Sequence, residues 1–343
     1  MKRIAIAKPG GFERLELVDA ADLTPGPGEV LVQTRAVGVN FADVVVRLGL
    51  YESAKKYVGF PITPGFELSG EVAALGAGVS DLRVGERVFG VTRFGGYASQ
   101  VCVPRHQLFR VPESMSHAQA GTFPTVFLTA YYALRECVRT RPGAKVLIHS
   151  AAGGVGLAAL QLAQADGLET IAVVGSSHKR EVALAYGASH VIDKSTQSLW
   201  REVERIAPGG LHVVLESNGA ETLAQSYRHL RPTGRLVVYG FTSMLSRGRG
   251  RPNWLKLAWE FLRIPRFHPL KMVDENRGVI AFNLSYLFEE QALLEESMAR
   301  MLGELARGVI KPLPVSELAL GAAAEAHRAL QSGTTTGKLA LIP

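Results

Sequence analysis

Val146-Leu147-Ile148-His149-Ser150-Ala151-Ala152-Gly153-Gly154-Val155-Gly156 decides the fold. The apolar residues 146–148 read as a strand buried on both faces, and the small residues from Ser150 to Gly156 as a tight turn opening into a helix. Only small side chains let a backbone turn that sharply, approach a pyrophosphate, and aim the unpaired N–H groups and positive end of a helix at it. Ala151 stands where the usual G-x-G-x-x-G fingerprint has its first glycine. Strand before, helix after and a βαβ continuation lift this turn above a common glycine cluster, to a dinucleotide site.

Downstream, strand-like runs at 145–149, 170–174, 190–192, 213–215 and 235–239 alternate with helical runs at 157–166, 179–186, 199–206 and 222–230. Gly187 reads as a helix stop. This alternation predicts an α/β domain with a doubly wound parallel sheet. Upstream, runs at 2–7, 13–18, 29–39, 67–75, 87–91 and 98–103 read as strands. Turn signals such as Pro25-Gly26-Pro27-Gly28 and Gly76-Ala77-Gly78 separate them, which predicts a β-rich, barrel-like domain. Residues 118–139 carry helical spacing, and 244–276 fit neither pattern. Amphipathic helices at 293–305 and 322–330 and a strand at 338–342 close the chain, and are expected to return to the first domain.

The second strand of the α/β unit ends Val173-Val174-Gly175-Ser176-Ser177-His178-Lys179-Arg180. An NAD site uses a carboxylate here to hold the ribose 2′-hydroxyl. Two hydroxyls and two cations stand in its place, and suit the extra phosphate of NADP. NADPH is therefore the cofactor the sequence predicts.

At 343 residues, 47% hydrophobic and 20% charged, the chain has material for two domains and no signature of disorder. Its net charge of +7 is spread thinly, except for Arg247, Arg249, Arg251, Lys256, Arg263 and Arg266. No basic stripe with interleaved aromatics belongs to a recognisable nucleic-acid module, so no nucleic-acid partner is expected. The start MKRIAIAKPGG lacks a signal peptide's long apolar region, and no run is long enough for a spanning helix. Cys102 and Cys137, the only cysteines, read as free thiols. A cytoplasmic protein is the expectation.

The chain resembles the medium-chain dehydrogenase/reductase superfamily, and within it the zinc-independent quinone oxidoreductases. The motifs that carry the resemblance are Ala36-Val37-Gly38-Val39-Asn40-Phe41-Ala42-Asp43, Gly49-Leu50-Tyr51, Pro64-Gly65-Phe66-Glu67-Leu68-Ser69-Gly70, Leu128-Thr129-Ala130-Tyr131-Tyr132 and the glycine turn. Residues 276–288 and the insert before them are similar to the vesicle-amine-transport-protein-like branch. The resemblance implies a GroES-like barrel domain over 1–120 with 285–343, and a Rossmann domain over 121–284 including an insert at about 244–275.

Where zinc alcohol dehydrogenases carry a cysteine ligand and a Gly-His-Glu, this chain has Val39-Asn40-Phe41 and Gly65-Phe66-Glu67. No metal is expected. Without a Lewis acid, the feasible chemistry is hydride delivery to an acceptor already electron-poor, a quinone or an alkene conjugated to a carbonyl. By resemblance, Asn40, Tyr51 and Thr129 line the nicotinamide end of the cleft. Asn40 and Tyr51 are candidates to hydrogen-bond the acceptor oxygen, Tyr51 or water to supply a proton. The bland alternatives are a helix cap for Asn40 and simple packing for Tyr51.

The expected cofactor contacts are Ser150, Ala151, Ala152, Gly153, Gly154, Val155, Gly156, Gly175, Ser176, Ser177, Lys179, Arg180, Asn218, Phe241, Phe282, Asn283, Leu284 and Lys338. Lys194 falls where relatives carry an adenine-stacking tyrosine. Two other readings stay open: an enoyl-thioester reductase, and a nucleotide-binding protein with weak chemistry that contacts a membrane or partner through 244–271. A homodimer is expected, with an exposed strand edge near 236–239.

Overall fold

The computed structural model describes residues 1–245 and 250–343; Arg247 and Arg249 of the basic cluster lie outside them. Six strands form a wholly parallel sheet in the order His190–Asp193, Glu169–Val174, Lys145–Ile148, Leu211–Glu216, Leu230–Val238, Gly278–Ala281. Its inner strands are almost wholly apolar because helices cover both faces: Val146, Leu147, Ile148, Val214 and Leu215 have no exposed surface. The chain leaves Lys145–Ile148 in one direction and returns to its other side at Leu211–Glu216. Open α/β sheets bind their ligands at such a reversal, outside the strands' carboxyl ends, and here the glycine turn and Ser217-Asn218 stand side by side at that place.

A second sheet has seven strands, in the order Val315–Ala319, Lys338–Ile342, Glu29–Val39, Glu67–Leu75, Arg87–Val91, Leu108–Arg110, with Gln100–Pro104 also pairing on Glu29–Val39, and Lys2–Ala5 pairs with Glu16–Asp19 in a small third one. The closing strand Lys338–Ile342 runs antiparallel to Glu29–Val39, so the last segments return to the first sheet as the sequence predicts. A bridge between Gly153 and Gly337 ties this return to the glycine turn.

Several expectations need correction. The run 118–139 is not one helix but His117–Ala120, Pro124–Tyr131 and a π-helical segment Tyr132–Glu136. Gly121 and Pro124 interrupt it. A side chain at Gly121 would come within 2.6 Å of the Ala36 carbonyl, so the break lets the chain pass close to the sheet. The run 13–18 opens as a 3-10 turn, Phe12–Arg14, before the strand Glu16–Asp19. Helices Phe41–Arg47 and Glu52–Tyr57 are too short to show a period. The strand near 236–239 is not an edge: Gly278–Ala281 pairs beside it and forms the edge instead.

The insert folds as helices Trp254–Arg263 and Pro269–Glu275. Leu257 packs near Val44, Leu48 and Leu245, while Trp254, Leu255, Trp259, Phe261 and Leu262 are 62–85 % exposed. Arg47 ties the insert to the barrel. Its fully buried guanidinium donates to the Gly10 and Gly250 carbonyls and to Gln331, and lies over the Phe12 ring.

A buried polar chain runs beneath the helix Phe41–Arg47: the Tyr97 hydroxyl lies 3.2 Å from both the Asp43 carboxylate and His327 Nε2. Burial pushes Asp43 from 3.8 up to about 7, against the Asn40 and Gly65 N–H groups and the charge of Lys338. Its contribution to stability is full below pH 3.8 and is lost as pH rises through about 7. His327 moves the other way, from 6.5 to about 3, by burial first and the charge of Arg47 second. Its contribution is full above 6.5 and is lost as pH falls through about 3. The two slopes oppose one another between 3.8 and 6.5. Relative to wild type, the variant His327→Phe is expected to lose stability with rising pH over this window, by up to about 1.4 kcal/mol per unit. Urea unfolding at three pH values reads the slope; parallel curves for the two proteins would show that His327 is not held neutral.

Candidate functional site

The glycine turn is more compact than the sequence suggests, because the helix begins at Gly154 and runs to Ala165, with Gly153 as its N-cap. Gly154, Val155 and Gly156 are thus its first turn, and their N–H groups have no partner within the helix. Ala151 and Ala152 serve by being small: both are buried, and the Ala151 N–H is already bonded to the Val173 carbonyl. A Cβ on Gly156 would lie 2.5 Å from the Ala151 Cα. Ser150 takes a left-handed φ of 52° and donates its hydroxyl to Asn218 Oδ1 at 3.0 Å, which joins the ends of two adjacent strands. This cradle fits a pyrophosphate.

Glu216, which no sequence motif marks, organises the neighbouring loop. Fully buried, it accepts the backbone N–H groups of Asn218 and Gly219 and the hydroxyls of Thr222 and Ser226. Phe241 stands beside this loop, its ring edge 2.7 Å from where a Gly219 side chain would begin.

At the end of Glu169–Val174 the predicted phosphate group only partly converges. Gly175 is open, and Ser176 and Ser177 follow at the surface. Lys179 is buried, its ammonium reaching the Gly333 and Thr335 carbonyls at 2.6 and 2.9 Å. Arg180 turns instead to the Val191 carbonyl and Gln197, so it supports the next loop rather than standing with Lys179. A carboxylate invisible to a linear reading is also present: Asp193, from the adjacent strand, accepts the Ser177 hydroxyl at 2.6 Å. Hydrogen bonds from Ser177 and Ser195 hold it below its ordinary pKa. Lys194 pairs with Glu221 at 3.4 Å.

Asn40 is the N-cap residue of Phe41–Arg47, as the cap reading has it, and forms a capping box with Asp43, whose carboxylate accepts the Asn40 backbone N–H at 2.8 Å; its amide also reaches across the barrel. Nδ2 donates to Glu67 Oε1 at 2.9 Å, and Oδ1 accepts from Lys338 Nζ at 2.6 Å. Glu67 Oε2 accepts the Thr125 N–H at the start of Pro124–Tyr131, and Thr129 sits one turn on, its hydroxyl bonded to the Thr125 carbonyl. Lys338, assigned from sequence to the cofactor, spends its ammonium on Asn40, Glu67 and the Val39 carbonyl. Its stem passes the glycine turn, with Cδ 2.9 Å from where a Gly154 side chain would begin. One lysine thus spans from the turn to Asn40. The sequence signal for this cluster was Glu67, a carboxylate set between the apolar Phe66 and Leu68 at the start of a strand.

Tyr51 packs edge-on against Phe66, at 5.5 Å between ring centres, and donates its hydroxyl to Asn283 Oδ1 at 2.8 Å. Asn283 also accepts from Ser285, so its side chain faces the barrel. Phe282 lies against Tyr132 and Tyr239, and Leu284 packs on the core. Burial raises the Tyr51 pKa, which keeps the phenol protonated.

Among the described residues, no group of three or more His, Cys, Asp or Glu side chains could hold a metal ion. The residues at the zinc positions do not fit one: Phe66 offers no ligand, and a buried ammonium lies between Asn40 and Glu67, where it would repel a dication.

Residues 26–113 match the family described as alcohol dehydrogenase GroES-like domain, and 154–256 the one described as zinc-binding dehydrogenase. The synaptic vesicle membrane protein VAT-1 homolog of Rattus norvegicus is 36% identical over 336 residues, covering 97% of this chain and 82% of that protein. The crystal structure of Escherichia coli quinone oxidoreductase complexed with NADPH superimposes with a TM-score of 0.87 at 30% identity, over 100% of both chains. That of CurK enoyl reductase gives 0.85 at 28% identity, over 99% and 98%. The chain belongs to the medium-chain dehydrogenase/reductase superfamily of oxidoreductases, in its quinone oxidoreductase and VAT-1-like branch.

Proposed function

We propose that the chain is a zinc-independent, NADPH-dependent reductase that transfers a hydride to a quinone or to the double bond of an α,β-unsaturated carbonyl. The observation that carries this reading is the span of Lys338, which sets a hydrogen-bond donor, Asn40, one side-chain length from a helix N-terminus built for a pyrophosphate. The likeness to a quinone oxidoreductase complexed with NADPH supports it.

In this reading Gly154, Val155 and Gly156 hold the pyrophosphate with Ser150 and Asn218 beside it, and Ser176, Ser177 and Lys179 receive the 2′-phosphate. NADPH, when bound, supplies the hydride. The Asn40 N–H stabilises negative charge developing on the acceptor oxygen, and Tyr51, once its hydroxyl turns from Asn283 to that oxygen, adds a second donor and holds the proton that follows. Residues 1–120 with 285–343 then form the acceptor-binding domain, and 121–284 the cofactor domain. Consumption of NADPH against simple quinones and enones, with NADH in parallel, tests the reading. Turnover is expected with NADPH at least about tenfold above NADH, roughly the cost of one charge-assisted contact. Equal rates would remove the phosphate assignment, and no turnover with any acceptor would remove the reductase.

Two other readings have observations behind them. The likeness to CurK enoyl reductase favours an enoyl thioester as acceptor. The exposed tryptophans and leucines of Trp254–Arg263, with Arg263 beside them, favour peripheral contact with an anionic membrane, in keeping with the name of the VAT-1 relatives. No helix among the described residues is long and apolar enough to cross a membrane.

A further inference from the structure

An asparagine amide presents two N–H donors on one side and a carbonyl oxygen on the other, and rotation by half a turn exchanges them. In an open cleft both faces are available, and an amide showing its carbonyl to an acceptor oxygen would repel the charge that hydride transfer builds. The surroundings of Asn40 remove that freedom. Lys338 is a donor only, and its ammonium lies 2.6 Å from Oδ1. Glu67 Oε1 lies 2.9 Å from Nδ2. Rotating the amide would press N–H against ammonium and carbonyl oxygen against carboxylate.

The lock is itself held. The Lys338 ammonium uses its three protons on Asn40, Glu67 and the Val39 carbonyl, and the second oxygen of Glu67 accepts the Thr125 N–H at 2.8 Å. Lys338 and Glu67 are 4 % and 0 % exposed, so water does not compete for these bonds. Gly38 makes room, since a side chain there would collide with the Glu67 carboxylate. Asn40 has one N–H bonded to Glu67 and one left over.

We propose that Lys338 and Glu67 are positioning residues that lock the Asn40 amide in one orientation, so that it offers its remaining N–H, never its carbonyl, to the oxygen of the acceptor. This rests on the reductase reading for what Asn40 faces, but the lock is measurable without turnover. It also assigns Lys338 to the acceptor side of the reaction rather than to cofactor affinity.

The test is a double-mutant cycle with Asn40→Ala and Lys338→Met, read as kcat/KM for an enone, with NADPH affinity by fluorescence titration and hydrogen exchange at the Asn40 side-chain amide by NMR. Lys338→Met is expected to lower kcat/KM about tenfold to thirtyfold, the scale of a misdirected donor. In the Asn40→Ala background the same change is expected to cost less than about twofold, because the two act as one unit. NADPH affinity should stay within about threefold, and exchange at the Asn40 amide should quicken at least about tenfold. Should Lys338→Met fold poorly because it strands the Glu67 charge, the neutral pair Glu67→Gln with Lys338→Met keeps the test intact. Independent, multiplying losses, or a tenfold weaker grip on NADPH, would overturn the proposal. If wild type reduces no acceptor, the reductase reading fails alone: quickened exchange in the variant still supports the lock, and unchanged exchange overturns it.

Discussion

The variant Gly156→Ala is expected to bind NADPH at least about a hundredfold more weakly than wild type and to lose roughly 1 to 3 kcal/mol of stability. Its new Cβ would lie 2.5 to 2.6 Å from the Cα, carbonyl carbon and oxygen of Ala151, all backbone atoms that no rotamer change can move aside. The strand Lys145–Ile148 and the helix Gly154–Ala165 must therefore separate by several tenths of an ångström or more, in a region where Leu147, Leu157 and Ala158 are already fully buried. The shift falls on the first turn of the helix, whose N–H groups are the ones proposed to hold the pyrophosphate. Gly153→Ala is the control. There the nearest atom would be the Ser150 carbonyl oxygen at 3.3 Å, and its φ of −82° suits any residue, so the loss should be far smaller. Fluorescence titration with NADPH separates the two; equal affinities for Gly156→Ala and wild type would mean that the turn does not bind the cofactor.

The contrast between these glycines shows what a sequence can carry. Local rules placed the strands Glu67–Leu75 and Arg87–Val91, the helix Leu199–Ile206 and the stop at Gly187, whose φ is 97°. Each depends on neighbours in the chain: alternation, helical period, a left-handed turn. The glycine turn belongs with them because strand, turn and helix are contiguous. The edge strand Gly278–Ala281 did not emerge, since four residues after an insert without a period give no pattern to read. Nor did the roles of side chains. Lys338 and Asn40 are far apart in sequence yet share a hydrogen bond, and Arg180 turns away from the phosphate region because Val191 and Gln197 come within its reach. Such partners are products of topology, and the order of strands had first to be known.

Glu216 is the case where that topology matters most. Replacing it by leucine is expected to cost about 4 kcal/mol and to weaken NADPH binding strongly. The carboxylate is fully buried and gathers two backbone N–H groups, from Asn218 and Gly219, and two hydroxyls, from Thr222 and Ser226. Leucine leaves both N–H groups without an acceptor, and those belong to the loop from which Asn218 reaches Ser150. Glu216→Gln separates charge from pattern. Its amide oxygen can still accept from Asn218 and Gly219, while its NH2 can donate to hydroxyls of Thr222 and Ser226 that turn to accept, since a hydroxyl does either. The glutamine variant is therefore expected to stay within about 1.5 kcal/mol of wild type and to keep most of its NADPH affinity. Urea unfolding and cofactor titration on both variants decide the point. If glutamine proves as damaging as leucine, the negative charge itself is required, and the buried His149 beside it, which burial holds toward the neutral form, does not balance it.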